Sequence, residues 1–199
     1  DKKTLADLTV KCIVLKHKNI REKMTYAEEL EYLATNEKRN NFIVNLLQHL
    51  DGNTLCLFQL VEKHGKPLYD QVQETITDRK TFFVYGGTDT SEREEIRGVV
   101  ENEKKSIILA SYGTFSTGIN IRNINNIVFS SPSKSRIRVL QSLGRGLRKT
   151  DTKFSVLIFD IADDVSHKNT RNFTLNHFSE RISLYNEQQF DYHISKVKL

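Results

Sequence analysis

Cysteine and proline are scarce in this 199-residue sequence, and one long stretch of it contains no acid at all. The two cysteines, Cys12 and Cys56, sit inside apolar strand-like runs, VKCIVL and TLCLF. They form no C-x-x-C and have no histidine at ligand spacing. That argues against a disulfide framework and a metal site, and points to buried, reduced thiols. The six histidines are scattered and suggest no site. The only prolines are Pro67 and Pro132, and no linker-like tract divides the middle of the chain. No apolar run approaches the ~20 residues that cross a bilayer, so no membrane partner is expected. The opening DKKTLADL lacks the apolar core and small-residue cleavage pattern of a signal peptide and reads as the start of a linker. A cytoplasmic location follows as the expectation. With 38% hydrophobic and 28% charged residues, the composition suits a globular protein rather than a disordered one.

The missing acids matter most. From Lys104 through Thr150 there is no Asp or Glu, while the same span holds nine bases: Lys104, Lys105, Arg122, Lys134, Arg136, Arg138, Arg145, Arg148 and Lys149. The net charge of +5 therefore hides a remainder of 21 bases against 25 acids. A solvated helical face normally mixes signs. An acid-free basic segment is expected where polyanions bind, and nucleic acid and nucleotide phosphates are the obvious candidates.

Apolar, β-rich runs predict strands over 9–17, 53–59, 80–86, 106–111, 126–131 and 154–162. Helical patterns fill the gaps at 36–50, 62–77, 91–104, 134–149 and 167–187, and the tail FDYHISKV is strand-like. Ser91 and Glu94 read as a capping box for the third of these helices. The alternation predicts an α/β fold with right-handed crossovers and a mainly parallel sheet. The expected division is an N-terminal lead-in or hinge region over 1–35, a core domain over 36–162 and a C-terminal helical extension with a tail strand over 163–199. In such sheets ligands gather at the carboxyl ends of the strands. Three loops there have unusual chemistry: GGTDT, SYGTFSTGIN and SPSKSR.

In GGTDTSE, Gly86 and Gly87 permit close backbone approach, and Thr88 and the following helix N-terminus offer donors to a phosphate. An ordinary strand-to-helix turn uses the same residues. In SYGTFSTGIN, Gly113 and Gly118 bracket the hydroxyls of Thr114, Ser116 and Thr117, with Ser111 just before them. Neutral donors of this kind hold a phosphate without reading sequence. The third element is QSLGRGLRK, residues 141–149. Leu140, Leu143 and Leu147 recur at helical spacing, while Gln141, Arg145 and Arg148 share another face at i, i+4 and i+7. Two guanidiniums on one face suit a multiply charged anion. Gly144 and Gly146 each cost about 1 kcal/mol in a helix interior, which makes sense where another body approaches the backbone.

QSLGRGLR resembles the Q-x-x-G-R-x-x-R sixth motif of superfamily-two helicases and translocases. SYGTFSTGIN is similar to their fifth motif, and NTLCLFQLVEKHGKPL to the fourth-motif strand and helix. Order and spacing match over about residues 36–162, most closely to a phage recombination and repair helicase. The resemblance implies a RecA-like three-layer sandwich, with a mainly parallel central sheet flanked by helices. It implies the C-terminal motor domain of an ATP-dependent DNA helicase that unwinds or branch-migrates branched DNA, working in a bacterial host's cytoplasm. Arg145 and Arg148 would be arginine fingers, worth roughly 10³–10⁵ in rate in other nucleotide hydrolases. Gln141, Gly144, Gly118 and Asn120 would line the ATP cleft, Asn120 standing where many helicases have Asp. Gly86, Gly87, Thr88, Ser111 and Thr114 would hold the nucleic-acid backbone.

No G-x-x-x-x-G-K-[ST] and no D-E-x-[DH] is present. ATP and Mg²⁺ are thus expected on an N-terminal RecA-like domain of the full-length protein, with none held by this chain, no metal site, and no hydrolysis by this chain alone. The expected partners are that domain and branched or single-stranded DNA. The readings left standing beside this one are a non-catalytic nucleic-acid-binding module and, less well supported without a G-x-G-x-x-G, a small Rossmann-like enzyme.

Overall fold

The computed structural model describes residues 8–115, 123–148 and 155–199, with backbone alone for 115 and 144–148. In chain order the elements are β1 (Leu8–Lys16), α1 (Tyr26–Thr35), α2 (Glu37–His49), β2 (Thr54–Phe58), a π-helical turn (Val61–Gly65), α3 (Lys66–Thr75), β3 (Thr81–Val84), α4 (Thr90–Glu101), β4 (Ile107–Ser111), the single turn α5 (Tyr112–Phe115), β5 (Asn126–Phe129), α6 (Ser135–Arg148), β6 (Val156–Asp164), α7 (Phe173–Glu187) and β7 (Asp191–Lys198). The strands form one seven-stranded sheet in the order β3-β4-β2-β5-β6-β1-β7. Every neighbouring pair is parallel.

Continuous apolar runs make the central strands. TLCLF of β2 is buried at all five positions, as a strand covered on both faces must be. Alternate residues of the strands serve two separate cores. Leu55, Leu57, Ile127, Phe129 and Ile158 face Val139, Leu140 and Leu143 of α6 and Phe178 and Tyr185 of α7. Cys56, Phe58, Val128, Phe159 and Ile161 face Ile43, Val44 and Leu47 of α2 and Leu68 and Val72 of α3. This is a helix–sheet–helix sandwich.

The lead-in and the tail both join that sheet. β1 lies between β6 and β7, in register from Leu8↔Val156 to Lys16↔Asp164 on one side and from Thr9↔Asp191 to Lys16↔Lys198 on the other. Helix α1, unforeseen in the sequence, carries the capping box at Thr25 and Glu28. The box expected at Ser91 and Glu94 does not form. The helix starts at Thr90 behind Asp89, because Thr88 and Arg93 tie the preceding turn back onto Tyr85. The helix expected over 62–77 is split: Pro67 supplies no N–H, so the first turn widens before α3 begins. Gly65 is required there, since a Cβ would strike the Phe58 ring. The last helix starts at Phe173 rather than 167, after a His167–Thr170 bridge with Lys168 in the left-handed region.

Candidate functional site

Strands β3 and β4 run side by side with Val84 opposite Ala110, so their loops leave the carboxyl edge together. The Gly86–Thr88 turn is held from within. Thr88 N donates to Tyr85 O at 3.0 Å, and Tyr85 N donates to Thr88 Oγ1 at 3.0 Å. Arg93 Nη2 donates to Tyr85 O and Gly86 O. Gly86 and Gly87 are exposed. Beside the turn, a cleft of about 510 Å³ is lined by Tyr69, Phe83, Thr88, Ile96, Glu92 and Glu95. The two glutamates disfavour a phosphate inside that cleft. The other loop, at Ser111, is free of acids. Ser111 Oγ and Thr114 Oγ1 share a 2.6 Å hydrogen bond; Ser111 is half-buried and Thr114 is buried, so Ser111 is the hydroxyl nearer solvent.

Helix α6 starts at the same edge and runs back along the sheet. Its 14 residues span about 21 Å at 1.5 Å per residue. Gln141 is exposed, while Leu140 and Leu143 are buried, as the spacing requires. Gly144, Arg145 and Arg148 belong to the helix backbone, but their side chains, and all of Gly118 and Asn120, lie outside the described residues. The expected residues whose backbone is described therefore fall in two places: a pair of loops at the carboxyl edge, and the second half of α6 from Gln141 to Arg148. The acid-free segment is also less uniform than its sequence suggests. Lys104, Lys105, Lys134 and Arg138 are exposed, but Arg136 is 1% exposed and points inward. Among the described residues, no cluster of His, Cys, Asp or Glu is placed to hold a metal.

What the spacing missed is a buried polar system at this edge. Asp160 receives Arg136 Nη1 at 3.1 Å, Arg181 Nε and Nη2 at 2.8 Å each, and the Tyr185 hydroxyl. Burial alone would raise its pKa; the Arg181 and Arg136 guanidiniums reverse this and hold the carboxyl below its ordinary range. On the opposite face Asp163 Oδ1 receives Arg39 Nε at 2.9 Å and pairs with His17 Nε2 at 2.7 Å. Here too burial opposes ionisation, and Arg39 and His17 overcome it.

The loop between β5 and α6 is gripped from all sides. Arg39 donates to Ser130 O, Tyr112 and Arg136 donate to Ser131 O, and Ser133 Oγ donates to Gln59 Oε1. His64 completes the grip. Asn40 Nδ2 donates to Ala34 O, which leaves Asn40 Oδ1 to accept from His64 Nε2; His64 Nδ1 then accepts from Ser131 Oγ at 2.6 Å. That arrangement needs a neutral ring, and burial, reinforced by Arg39, pushes the His64 pKa down to about 3. Two signals could have found this system: a charged Asp160 inside the apolar run FSVLIFDIA, and Arg136 on the same helical stripe as Leu140 and Leu143.

Comparison with known proteins follows the same outline. Residues 37–150 match the family described as "Helicase conserved C-terminal domain". The ATP-dependent DNA helicase uvsW of Enterobacteria phage T4 is 36% identical over 188 residues, covering 88% of this chain and 37% of that protein. A putative helicase, 161L, of Invertebrate iridescent virus 6 is 24% identical over 175 residues, covering 83% of this chain and 37% of its own length. This chain thus spans well under half of either relative. The crystal structure of T4 UvsW superposes with a TM-score of 0.80 at 33% identity, over 96% of this chain and 42% of that one. The C-terminal domain of the DEAD-box protein Dbp5 superposes at 0.59 with 12% identity, over 100% and 92%, a likeness of fold alone. The all-parallel sandwich is RecA-like, and with more than half of its residues inside that family's span, the chain belongs to the helicase conserved C-terminal domain family.

Proposed function

We propose that this chain is the C-terminal motor domain of an ATP-dependent DNA helicase or translocase acting on branched or single-stranded DNA, by unwinding or branch migration. The observation that carries the reading is that every candidate residue, from Gly86 to Arg148, lies inside the family's matched span of 37–150. The DNA substrate is carried over from the name of the T4 relative.

In this reading Arg145 and Arg148 are the arginine fingers, and Gln141, Gly144, Gly118 and Asn120 line the cleft toward the nucleotide. ATP is the substrate, held with Mg²⁺ mainly by an N-terminal RecA-like domain of the full-length protein. This chain has no phosphate-binding loop of the G-x-x-x-x-G-K-[ST] kind and is inactive alone. Its own contribution is positive charge at the developing charge of phosphoryl transfer, which is worth most where water is excluded. Ser111, supported by Thr114, and the Gly86–Thr88 turn hold the DNA backbone at the carboxyl edge. The ends of α6 lie about 20 Å apart, given 1.5 Å per residue, so cleft closure at one end is coupled mechanically to grip at the other.

In the full-length protein, Arg145→Ala or Arg148→Ala should cut ATP turnover by about 10³-fold or more while leaving ATP binding nearly intact. Steady-state hydrolysis and equilibrium nucleotide binding check this. Turnover close to wild type in both variants removes the finger assignment.

A further inference from the structure

We infer that Asp160, with Arg136 and Arg181, is a buried clamp that fixes the rotation and axial position of α6, so that Arg136 and Arg181 are positioning residues for the proposed fingers. The inference rests on the finger reading above.

The clamp ties together six parts of the molecule. Arg136 sits in the first turn of α6 and is spent entirely on fixed acceptors: Asp160 Oδ1 at 3.1 Å, Ile161 O at 2.6 Å, Phe129 O at 2.9 Å, Ser131 O at 3.0 Å and the Tyr112 hydroxyl at 3.2 Å. These acceptors belong to β6, β5, the loop after β5, and α5. From the other side Arg181 of α7 grips both oxygens of the same carboxylate, and Tyr185, one turn further along α7, donates its hydroxyl. Asp160 is fully buried, and Arg136 and Arg181 are 1% and 4% exposed.

Such a group is a poor way to gain stability. Desolvating three ions is costly, and well-packed apolar side chains often do as well or better. Two guanidiniums on one carboxylate also leave an excess positive charge in the core. What an ionic clamp provides and an apolar contact does not is direction: a planar guanidinium satisfied on five acceptors permits one placement of the helix.

Helix geometry says what that placement controls. At about 100° per residue, position 145 lies about 180° around α6 from position 136, and positions 141 and 148 lie about 140° and 120° away. Positions 140 and 143 fall within about 40° of Arg136, and both are buried leucines. Anchoring Arg136 inward therefore fixes the angular position of the helix face that carries positions 141, 145 and 148, of which Gln141 is exposed. A small rotation at the anchor moves that face, and a misplacement of about 1 Å at a catalytic group costs about 10²-fold.

The test uses the full-length protein with ATP and a forked DNA duplex. Arg181→Lys keeps the charge but cannot reach both oxygens, and Tyr185→Phe removes one hydroxyl. We expect kcat, normalised to titrated ATP-binding sites, to fall about tenfold or more in Arg181→Lys and about threefold in Tyr185→Phe. KM for ATP and Kd for the DNA should stay at wild-type values, and the far-UV circular dichroism should be unchanged. A merely structural role predicts fewer competent molecules, each with normal kcat, and that result overturns the clamp. Normal kcat in both variants beside an inactive Arg145→Ala also overturns it while leaving the fingers in place. An active Arg145→Ala instead removes the finger reading, and the clamp with it, whatever Arg181→Lys does.

Discussion

Asp160 and Asp163 are three residues apart on one strand, face opposite sides of the sheet, and are served very differently. Asp160 looks toward α6 and α7 and has both oxygens occupied, by two arginines and a tyrosine. Asp163 looks toward α2 and has one oxygen shared between Arg39 and His17, while its Oδ2 and Arg39 Nη2 have no hydrogen-bond partner among the described residues. Both carboxylates hold arginines in the core. Only the first is closed off. The difference separates a clamp, which fixes one geometry, from a junction that leaves a polar atom of each partner unsatisfied among the described residues.

The sharpest way to break this comparison is to neutralise each carboxylate in turn. Asp160→Asn strands two buried guanidiniums and should cost close to 5 kcal/mol, the upper end of the roughly 3–5 kcal/mol seen when one member of a buried ion pair is removed. Asp163→Asn strands one buried guanidinium rather than two, and should cost nearer 3 kcal/mol. Urea unfolding of both variants measures the gap. Equal losses would mean that the closed and open arrangements are energetically alike.

A smaller effect, spread over pH, sharpens it. Both carboxyls are held below their ordinary range in the folded chain. The unfolded chain therefore takes up protons first as pH falls. The stability these pairs contribute is fully present above the unfolded value of about 4 and is lost as pH drops below it. Midpoints of urea unfolding measured from pH 5 to pH 2 should fall steeply below pH 4, and Asp163→Asn should flatten part of that descent.

These effects sit where the sequence was least readable. Local pattern predicted the seven strands to within a few residues, because each is a continuous or alternating apolar run between polar turns. Helix α6 was legible for the same reason: Leu140 and Leu143 face inward as their spacing demands. Capping was not, because a side chain can serve several turns. Thr88 bonds back to Tyr85 instead of leaving the helix start to Ser91. The pairing within the charged core was unreadable for a different reason. Arg39 and Asp163 are 124 residues apart, and although buried Arg136 shares the helical stripe of Leu140 and Leu143 while exposed Arg138 does not, nothing local names the acid that pairs with it. An acid-free segment is a statement about sequence neighbours, whereas the acid that neutralises Arg136 comes from the next strand.

His64 supplies the most separable effect. It lies on the Asp163 side, bridging Asn40 and Ser131, and must be neutral to accept from Ser131. Its folded pKa is about 3, against about 6.5 for a free imidazole. Between those values the unfolded chain binds a proton that the folded chain refuses, so stability falls as pH falls, by up to about 1.4 kcal/mol per pH unit. This decline starts near pH 6.5, well above the range in which the aspartates titrate. His64→Gln should therefore remove most of the slope between pH 6.5 and 4.5, the remainder belonging to His177, whose pKa burial also lowers, and leave the steep loss below pH 4 in place. A slope of undiminished size after the substitution would move its origin to another histidine and detach the loop grip from the pH response of the Asp163 side.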